Sequence, residues 1–282
     1  MKDILIVDAG SSKSDWSLIK ETGEIVRFKS QGINPVQQNK ELIYNIISHV
    51  FNLIDYKSIS LEIKYFGAGC IGNKQKKFIS DTLNSIWGTK DIKVNSDIMA
   101  AGISLFGLGS GIACILGTGS NTSLYNHGEL ISCIPSLGYI LGDEGSGAAL
   151  GKRLINAVYK KILPQNIIDD FNHQYNLNIE DIIHRVYKEN SASAFLASFS
   201  TFIHNNLEVS DIKDLVLQEF DLFFQRNVIP YFKGSEYEVG FVGSVAFHYS
   251  ALLLETASKY NIKITKILKA PINSLENFYS HQ

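Results

Sequence analysis

The sequence predicts an α/β fold in which one domain pattern occurs twice, and two stretches carry that expectation. Residues 4–19 read ILIVDAGSSKSDWSLI. An apolar run (Ile4, Leu5, Ile6, Val7) meets the small-residue turn Asp8-Ala9-Gly10-Ser11-Ser12, and an apolar phrase resumes at Trp16-Ser17-Leu18-Ile19. That is the pattern of a strand, a tight turn and a second strand. Residues 112–125 read IACILGTGSNTSLY and repeat it, with the turn Gly117-Thr118-Gly119-Ser120-Asn121 between apolar flanks. When the strands are aligned, Ala9-Gly10-Ser11 lies over Thr118-Gly119-Ser120. Two such hairpins about a hundred residues apart point to a duplicated domain.

The elements follow in order. Residues 24–30 (EIVRFKS) alternate as a third strand, and Gln31-Gly32-Ile33-Asn34-Pro35 is a turn because Gly and Asn-Pro are breakers. Leu42, Ile43, Ile46, Ile47 and Val50 keep helical spacing. Residues 61–66 alternate as a strand ending in Gly67-Ala68-Gly69, residues 74–87 form an amphipathic helix, and residues 92–94 form a short strand. Lys74, Lys76 and Lys77 are its solvated face. Asn95-Ser96-Asp97 leads into a helix over residues 98–106, so the first part reads βββαβαβα.

Beyond the second hairpin the pattern is less regular. Residues 138–151 (GYILGDEGSGAALG) are a loop entering a helix that runs to about Lys161. Residues 164–208 are helical and polar-faced and read as an inserted helical subdomain; His173, His184 and His204 keep no ligand spacing in it. Residues 210–232 predict one long helix with Ile212, Leu215, Val216, Phe220 and Phe223 on one face. A strand (239–242), the turn Gly243-Ser244, a helix (245–260), a strand (265–268) and a short helix complete the chain. The expected division is a first domain over 1–107 and a second over 108–282.

The totals narrow the function. A chain of 282 residues has room for two domains with substantial cores. A net charge of −2 points to neither nucleic acid nor an anionic membrane. Cys70, Cys114 and Cys133 are odd in number and scattered, as expected of reduced core thiols in a cytoplasmic protein. The His and Cys spacings give no structural zinc site. The initial apolar run is short and leads into Asp8, which is not a secretory signal. Residues 98–128 contain no Asp, Glu, Lys or Arg, but the glycines at 102, 107, 109 and 111 and the polar turn at 117–122 fit a buried helix and strand better than a membrane span.

The turns suggest chemistry. Gly, Ala and Ser let the backbone approach a bound group, and consecutive N–H donors suit phosphate. Asp8 in such a cradle calls for a cation between carboxylate and phosphate, and a hydrated Mg²⁺ held by one carboxylate and the phosphates answers. A plain hairpin with an exposed acid would account for one copy; two copies point to a nucleotide gripped between the halves. Asp97 follows a strand and opens an uncharged helix, which suits a helix cap or a general base for an attacking hydroxyl. Asp143-Glu144-Gly145 is bracketed by glycines at 138, 142, 145 and 147, which leaves room for a ligand and equally suits an acidic helix start.

Taken together, these motifs resemble those of the BadF/BadG/BcrA/BcrD-type ATPases and the related N-acetylglucosamine kinases. Asp8-Ala9-Gly10-Ser11-Ser12-Lys13-Ser14-Asp15-Trp16 resembles their first phosphate motif, and Leu116-Gly117-Thr118-Gly119-Ser120-Asn121 the second. Residues 138–146 are similar to their glycine-rich Asp-Glu-Gly-Ser segment, and Phe241-Val242-Gly243-Ser244-Val245 to their adenosine turn. The motifs keep family order and spacing along nearly the whole chain. The resemblance implies two duplicated ribonuclease H-like (actin-like ATPase) domains with an inserted helical subdomain.

It also implies roles. Asp97 is the base. Gly10, Ser11, Ser12, Lys13, Thr118, Gly119, Ser120, Gly243 and Ser244 hold ATP, and Asp8 positions Mg²⁺. Asn34, Thr118, Gly119, Gly138 and Asp143 line a sugar pocket. Pro135-Ser136-Leu137 departs from the glycine- and aromatic-containing stretch expected before Gly138, and residues 271–275 (PINSL) from the usual small-residue ending.

The expected function is ATP-dependent phosphorylation of N-acetylglucosamine or glucosamine, with two lobes closing to exclude water. The partner is a small sugar, with a homodimer left open. Another sugar such as N-acetylmuramic acid is an alternative acceptor. A second class is an ATP-driven activator of a 2-hydroxyacyl-CoA dehydratase or benzoyl-CoA reductase, which needs an iron–sulfur cluster bound by cysteines at a dimer interface; Cys70 alone sits in a suitable loop. A third is a non-catalytic sugar sensor, which the presence of Asp97 disfavours.

Overall fold

The computed structural model describes residues 2–54, 60–189, 191–232 and 236–280. Its first sheet grows from the hairpin of β1 (Asp3–Ala9) and β2 (Lys13–Ile19), which pair antiparallel with Val7 opposite Trp16 and Asp8 opposite Asp15. β3 (Ile25–Gln31) extends the hairpin on its outer edge. α1 (Lys40–Ile54) then crosses to β4 (Leu61–Gly67), parallel to β1, and α2 (Asn73–Trp87) crosses to β5 (Ile92–Ser96), parallel to β4. α3 (Asp97–Phe106) follows at once. The strand order is β3-β2-β1-β4-β5, and the expected βββαβαβα holds throughout. Ile43, Ile46, Ile47 and Val50 of α1 are buried, as their spacing requires, beside Trp16, Ile63, Tyr65, Ile79 and Leu83.

The second sheet contains β6 (Ser110–Leu116), β7 (Ser120–Asn126) and β8 (Glu129–Ile134). After the helices α4 (Gly138–Leu141), α5 (Gly147–Tyr159), α6 (Gln165–Tyr175), α7 (Ile179–Tyr187), α8 (Ala192–Ser198), α9 (Ser200–Asn205) and α10 (Ser210–Phe223) come β9 (Val239–Val242), α11 (Ser244–His248), α12 (Ser250–Lys259) and β10 (Ile264–Leu268). The order β8-β7-β6-β9-β10 repeats that of the first sheet strand for strand, and β6 runs parallel to β9 as β1 does to β4. The duplication is therefore one of topology as well as of turns.

Four local expectations are corrected. β8 was not expected; mostly exposed at the sheet edge, it lacks the alternation that marks a half-buried strand. The long helix over 210–232 ends at Phe223 and continues as a π-helical turn (224–228) and a 3₁₀ turn (229–231). Pro230 has no N–H for an α-helical ladder, and the wider turn keeps Phe223, Phe224 and Asn227 buried together. The helix over 245–260 is broken at Tyr249, whose buried hydroxyl donates to the Ser200 carbonyl. Within the loop over 138–151, residues 138–141 form the single turn α4.

The chain divides into two compact units that are not contiguous in sequence: residues 1–109 with 126–130 and 270–282, and residues 110–125 with 131–269. The last helix, α13 (Ile272–Ser280), thus belongs with the first unit, not with the 108–282 stretch in which it was expected. Glu276 of α13 is buried and takes two bonds from Arg27 of β3, at 2.5 and 2.7 Å. The insertion over 164–208 joins the core of the second unit, with Ile167, Ile168, Phe171, Phe195, Phe199 and Phe202 packed in one cluster with Ile112, Leu116 and Phe241 of the sheet. Among the described residues no helix is long and apolar enough to cross a membrane.

Candidate functional site

In the first unit, strand register brings the chemistry to one edge. Ala9, Gly67 and Ser96 are aligned across β1, β4 and β5, so Asp8 and Asp97 both stand where their strands end. Asp8 is half-buried and opposite Asp15. Burial, then the charges of Asp15 and Asp97, push its carboxyl up to about 7, against the opposing effect of Lys13. Asp97 is the first residue of α3, not its cap: Ser96 holds the cap position without a side-chain bond, and Asp97 Oδ1 accepts the Ile98 N–H at 2.8 Å. The carboxylate is thus oriented by the amide that follows it.

The first turn is braced by the chain that crosses it. Gly10 N–H donates to the Lys13 carbonyl at 2.9 Å, and Ile33 N–H to the Gly10 carbonyl at 3.0 Å. A Cβ on Gly32 would collide with the backbone of Ser11, so only glycine allows this crossing. Asn34, 6% exposed, donates from its amide to the Ser11 hydroxyl at 2.9 Å and accepts the Val36 N–H at 3.0 Å. Ser12 and Lys13 are exposed. The structure therefore brings together Asp8, Gly10, Ser11, Asn34 and Asp97.

In the second unit the turn Gly117-Thr118-Gly119-Ser120 is braced by a helix start. Gly147 and Ala148, at the N-terminus of α5, donate to the carbonyls of Gly117 and Thr118 at 2.8 and 3.1 Å. The buried side chain of Asp143 lies against Gly119, and its Oδ1 accepts the Ser120 N–H at 3.3 Å. Asp143 reaches this position with φ +56°, a left-handed backbone for a non-glycine residue, closed by a bond from its N–H to the Ser136 carbonyl. Thus Thr118, Gly119, Ser120 and Asp143 form one group, while Gly138 opens α4 on the same loop. Gly243 has φ +130°, and a Cβ there would collide with the Leu116 carbonyl, so the Gly243-Ser244 turn abuts the turn that begins at Gly117.

Several contacts of this neighbourhood carried no signal in the sequence. Glu219 is buried, accepts the Gly145 N–H at 3.1 Å and pairs with Arg153. Glu144 accepts from Arg226 at 2.8 Å and Asn227 at 3.2 Å, both on the π-helical turn. Beside Ser244 lies a cavity of about 300 Å³ lined by Ser200, Thr201, His204, Val245, His248 and Tyr249, with the two imidazoles 5.9 Å apart. The hydrogen-bonded partners are 66 to 83 residues apart in the chain, beyond any local pattern. Cys70 and Cys114 are buried as expected, with burial pushing the Cys70 thiol up to about 12. Cys133 is a correction, being exposed on the edge strand β8.

No family model and no curated protein matches the chain. Solved structures do. A Porphyromonas gingivalis protein described as a "Putative N-acetylglucosamine Kinase" is 37% identical, with 99% of each chain covered and a TM-score of 0.93. A Chromobacterium violaceum protein with the same description is 14% identical, with 99% of each chain covered and a TM-score of 0.76. A ROK family glucokinase of Streptomyces griseus, solved with glucose and AMPPNP, is 13% identical over 99% of this chain and 98% of its own, with a TM-score of 0.58. The last two attest to the fold alone; the first adds likeness of sequence along its whole length, and with it the actin-like ATPase architecture.

Proposed function

This chain belongs to the N-acetylglucosamine kinase-like branch of the BadF/BadG/BcrA/BcrD-type ATPases, and we propose that it is an ATP-dependent kinase of an amino sugar, N-acetylglucosamine or glucosamine. The observation that carries this reading is the placement of Asp97 at the end of β5, in electrostatic reach of Asp8 at the end of β1 and of the braced turn that follows it. A base, a cation-seeking carboxylate and a backbone cradle are the parts phosphoryl transfer requires.

Asp97 would take the proton from the sugar hydroxyl as that oxygen attacks the γ-phosphate. The Ile98 amide holds its carboxylate in one orientation, which limits the reorganisation needed at the moment of transfer. The turns at Gly10–Lys13 and Thr118–Ser120 would present backbone N–H groups to the phosphates, and the cavity beside Ser244 would receive the nucleoside. Asn34 in the first unit and Asp143 in the second are the sugar-contact candidates, each already fixed by bonds to its own turn.

Magnesium fits the donors in the first unit. Burial first, then the charges of Asp15 and Asp97, raise the Asp8 carboxyl, and a divalent cation there would favour its charged form. Asp8 would hold the hydrated ion, which when bound neutralises charge on the phosphates.

The activator reading finds less support. It requires cysteines gathered for a cluster, whereas Cys70 and Cys114 lie in the separate cores of the two units. Measuring ADP release across hexosamines, N-acetylated hexosamines, muramic acids and plain hexoses tests the proposal. The highest kcat/KM is expected with N-acetylglucosamine or glucosamine. ADP release indifferent to sugar, or greatest with a plain hexose, would overturn it.

A further inference from the structure

Two histidines of the second unit share a cavity without bonding to its walls. His204 of α9 and His248 of α11 line the space of about 300 Å³ beside Ser244. Both are exposed, and their ring centroids stand 5.9 Å apart with the planes at 66°. Among the described residues neither imidazole makes a hydrogen bond or an ion pair with the protein. The frame that carries them is fixed. The Tyr249 hydroxyl, just past α11, donates to the Ser200 carbonyl at the start of α9, and the Tyr249 ring meets His204 edge-on at 5.3 Å.

Imidazole suits zinc, copper and nickel. With metal–nitrogen bonds of about 2.0–2.1 Å and tetrahedral angles, two imidazole centroids on one zinc ion lie about 5 Å apart. The observed 5.9 Å is a small side-chain rotation from that spacing. We infer that His204 and His248 form a reversible site for a divalent transition metal of the zinc class, and that the bound ion closes the cavity to a nucleoside. Desolvation, then Lys269 and His204, hold His248 below the usual histidine value, so at pH 7 it is neutral, the form that coordinates a metal. Among the described residues no third His, Cys, Asp or Glu completes the set, so water would fill the remaining positions. The site is therefore an open, exchangeable one, unlike the closed four-ligand sites that hold structural zinc. Magnesium, which prefers oxygen donors and keeps its water, is a poor competitor for it.

The metal site stands on the histidine geometry alone, whereas closure of the cavity rests on the nucleoside being received there. Calorimetric titration of the full chain with Zn²⁺ at pH 7 tests both. One ion per chain is expected, with excess Mg²⁺ unable to displace it. His204→Ala and His248→Ala, at exposed positions, should keep the melting curve of the parent. Each should weaken zinc binding by about ten-fold or more, since losing even a group that supports a ligand costs that much. His173→Ala, away from the cavity, should leave the affinity unchanged. Adenosine, which has no phosphate to capture the metal, should weaken zinc binding to the parent by competition. A parent that binds no zinc would overturn the site, as would binding indifferent to either cavity substitution. Zinc held through both histidines but indifferent to adenosine would leave the metal site standing and overturn the closure, along with the placing of the nucleoside in this cavity.

Discussion

The two phosphate-type turns sit at the same place in two sheets of the same strand order, yet their surroundings differ in kind. The first follows Asp8 and lies near Asp15 and Asp97. In the aligned hairpins Gly117 occupies the place of Asp8, and the strand before it is Ile112-Ala113-Cys114-Ile115-Leu116, without an acid. The first turn is braced by an irregular crossing segment at Gly32–Asn34, the second by the N-terminus of α5. One acid approaches the second turn, Asp143, and it arrives from a loop with a strained backbone. Duplication thus kept the strand order while the acids beside the two turns differ, Asp8 standing on the strand that enters the first and Asp143 reaching the second from a loop.

The largest expected effect tests the first of those surroundings. Asp97→Asn keeps the size of the side chain and an oxygen able to accept the Ile98 N–H, so stability should change little. Because Asn cannot take up the hydroxyl proton, kcat should fall by on the order of 10²–10⁴. Calorimetric binding of sugar and ATP should stay within a few-fold of the parent. Near-normal turnover on the best sugar would return Asp97 to a purely structural role at the start of α3.

The same contrast bears on what could be read in advance. Strands β1, β6 and β9 are apolar runs ended by glycine or small residues, β4 alternates up to Gly67, and α1 repeats its buried residues at helical spacing, so these were legible. Turn residues were legible because glycine is needed where chain crosses chain, as at Gly32 and Gly243. What failed depended on distant partners. Tyr249 breaks a helix because Ser200 captures its hydroxyl, and the π-helical turn is accompanied by bonds from Arg226 and Asn227 to Glu144. Likewise α13 is held by Arg27, some 249 residues earlier. Edge strand β8 had no buried face to write an alternating pattern.

A middle-sized effect asks whether Asn34 and Asp143 serve sugar or turn. Each is proposed to hold sugar, yet each is bonded to a glycine-rich turn, through the Ser11 hydroxyl in one case and the Ser120 N–H in the other. Asn34→Ala and Asp143→Ala should raise the sugar KM by about ten-fold or more, the scale of a lost bond to a polar or charged group. The KM for ATP should move much less. If both constants rise together in Asp143→Ala but not in Asn34→Ala, the bond to Ser120 matters more than the sugar contact, and the two halves differ further than supposed.

The smallest effect concerns what holds the Asp143 loop. Burial alone would raise the Glu144 carboxyl, but the bonds from Arg226, its own backbone and Asn227 hold it below the usual glutamate range. A carboxylate lowered in the folded state adds stability above its unfolded value, and that stability disappears as pH falls through the folded value. Arg226→Ala removes the charged partner while Asn227 remains. Since the arginine side chain is 61% exposed, the loss at neutral pH should be only a few tenths of a kcal/mol to about 1 kcal/mol. It should shrink towards zero once Glu144 is protonated in both states. The measurement is the denaturation midpoint of parent and variant at pH 7 and at a pH below the usual glutamate range. A difference that persists undiminished in acid would show that Arg226 acts by packing on the π-helical turn, not by charge. A sugar KM that follows the same pH dependence would show that the pair with Glu144 positions the neighbouring Asp143.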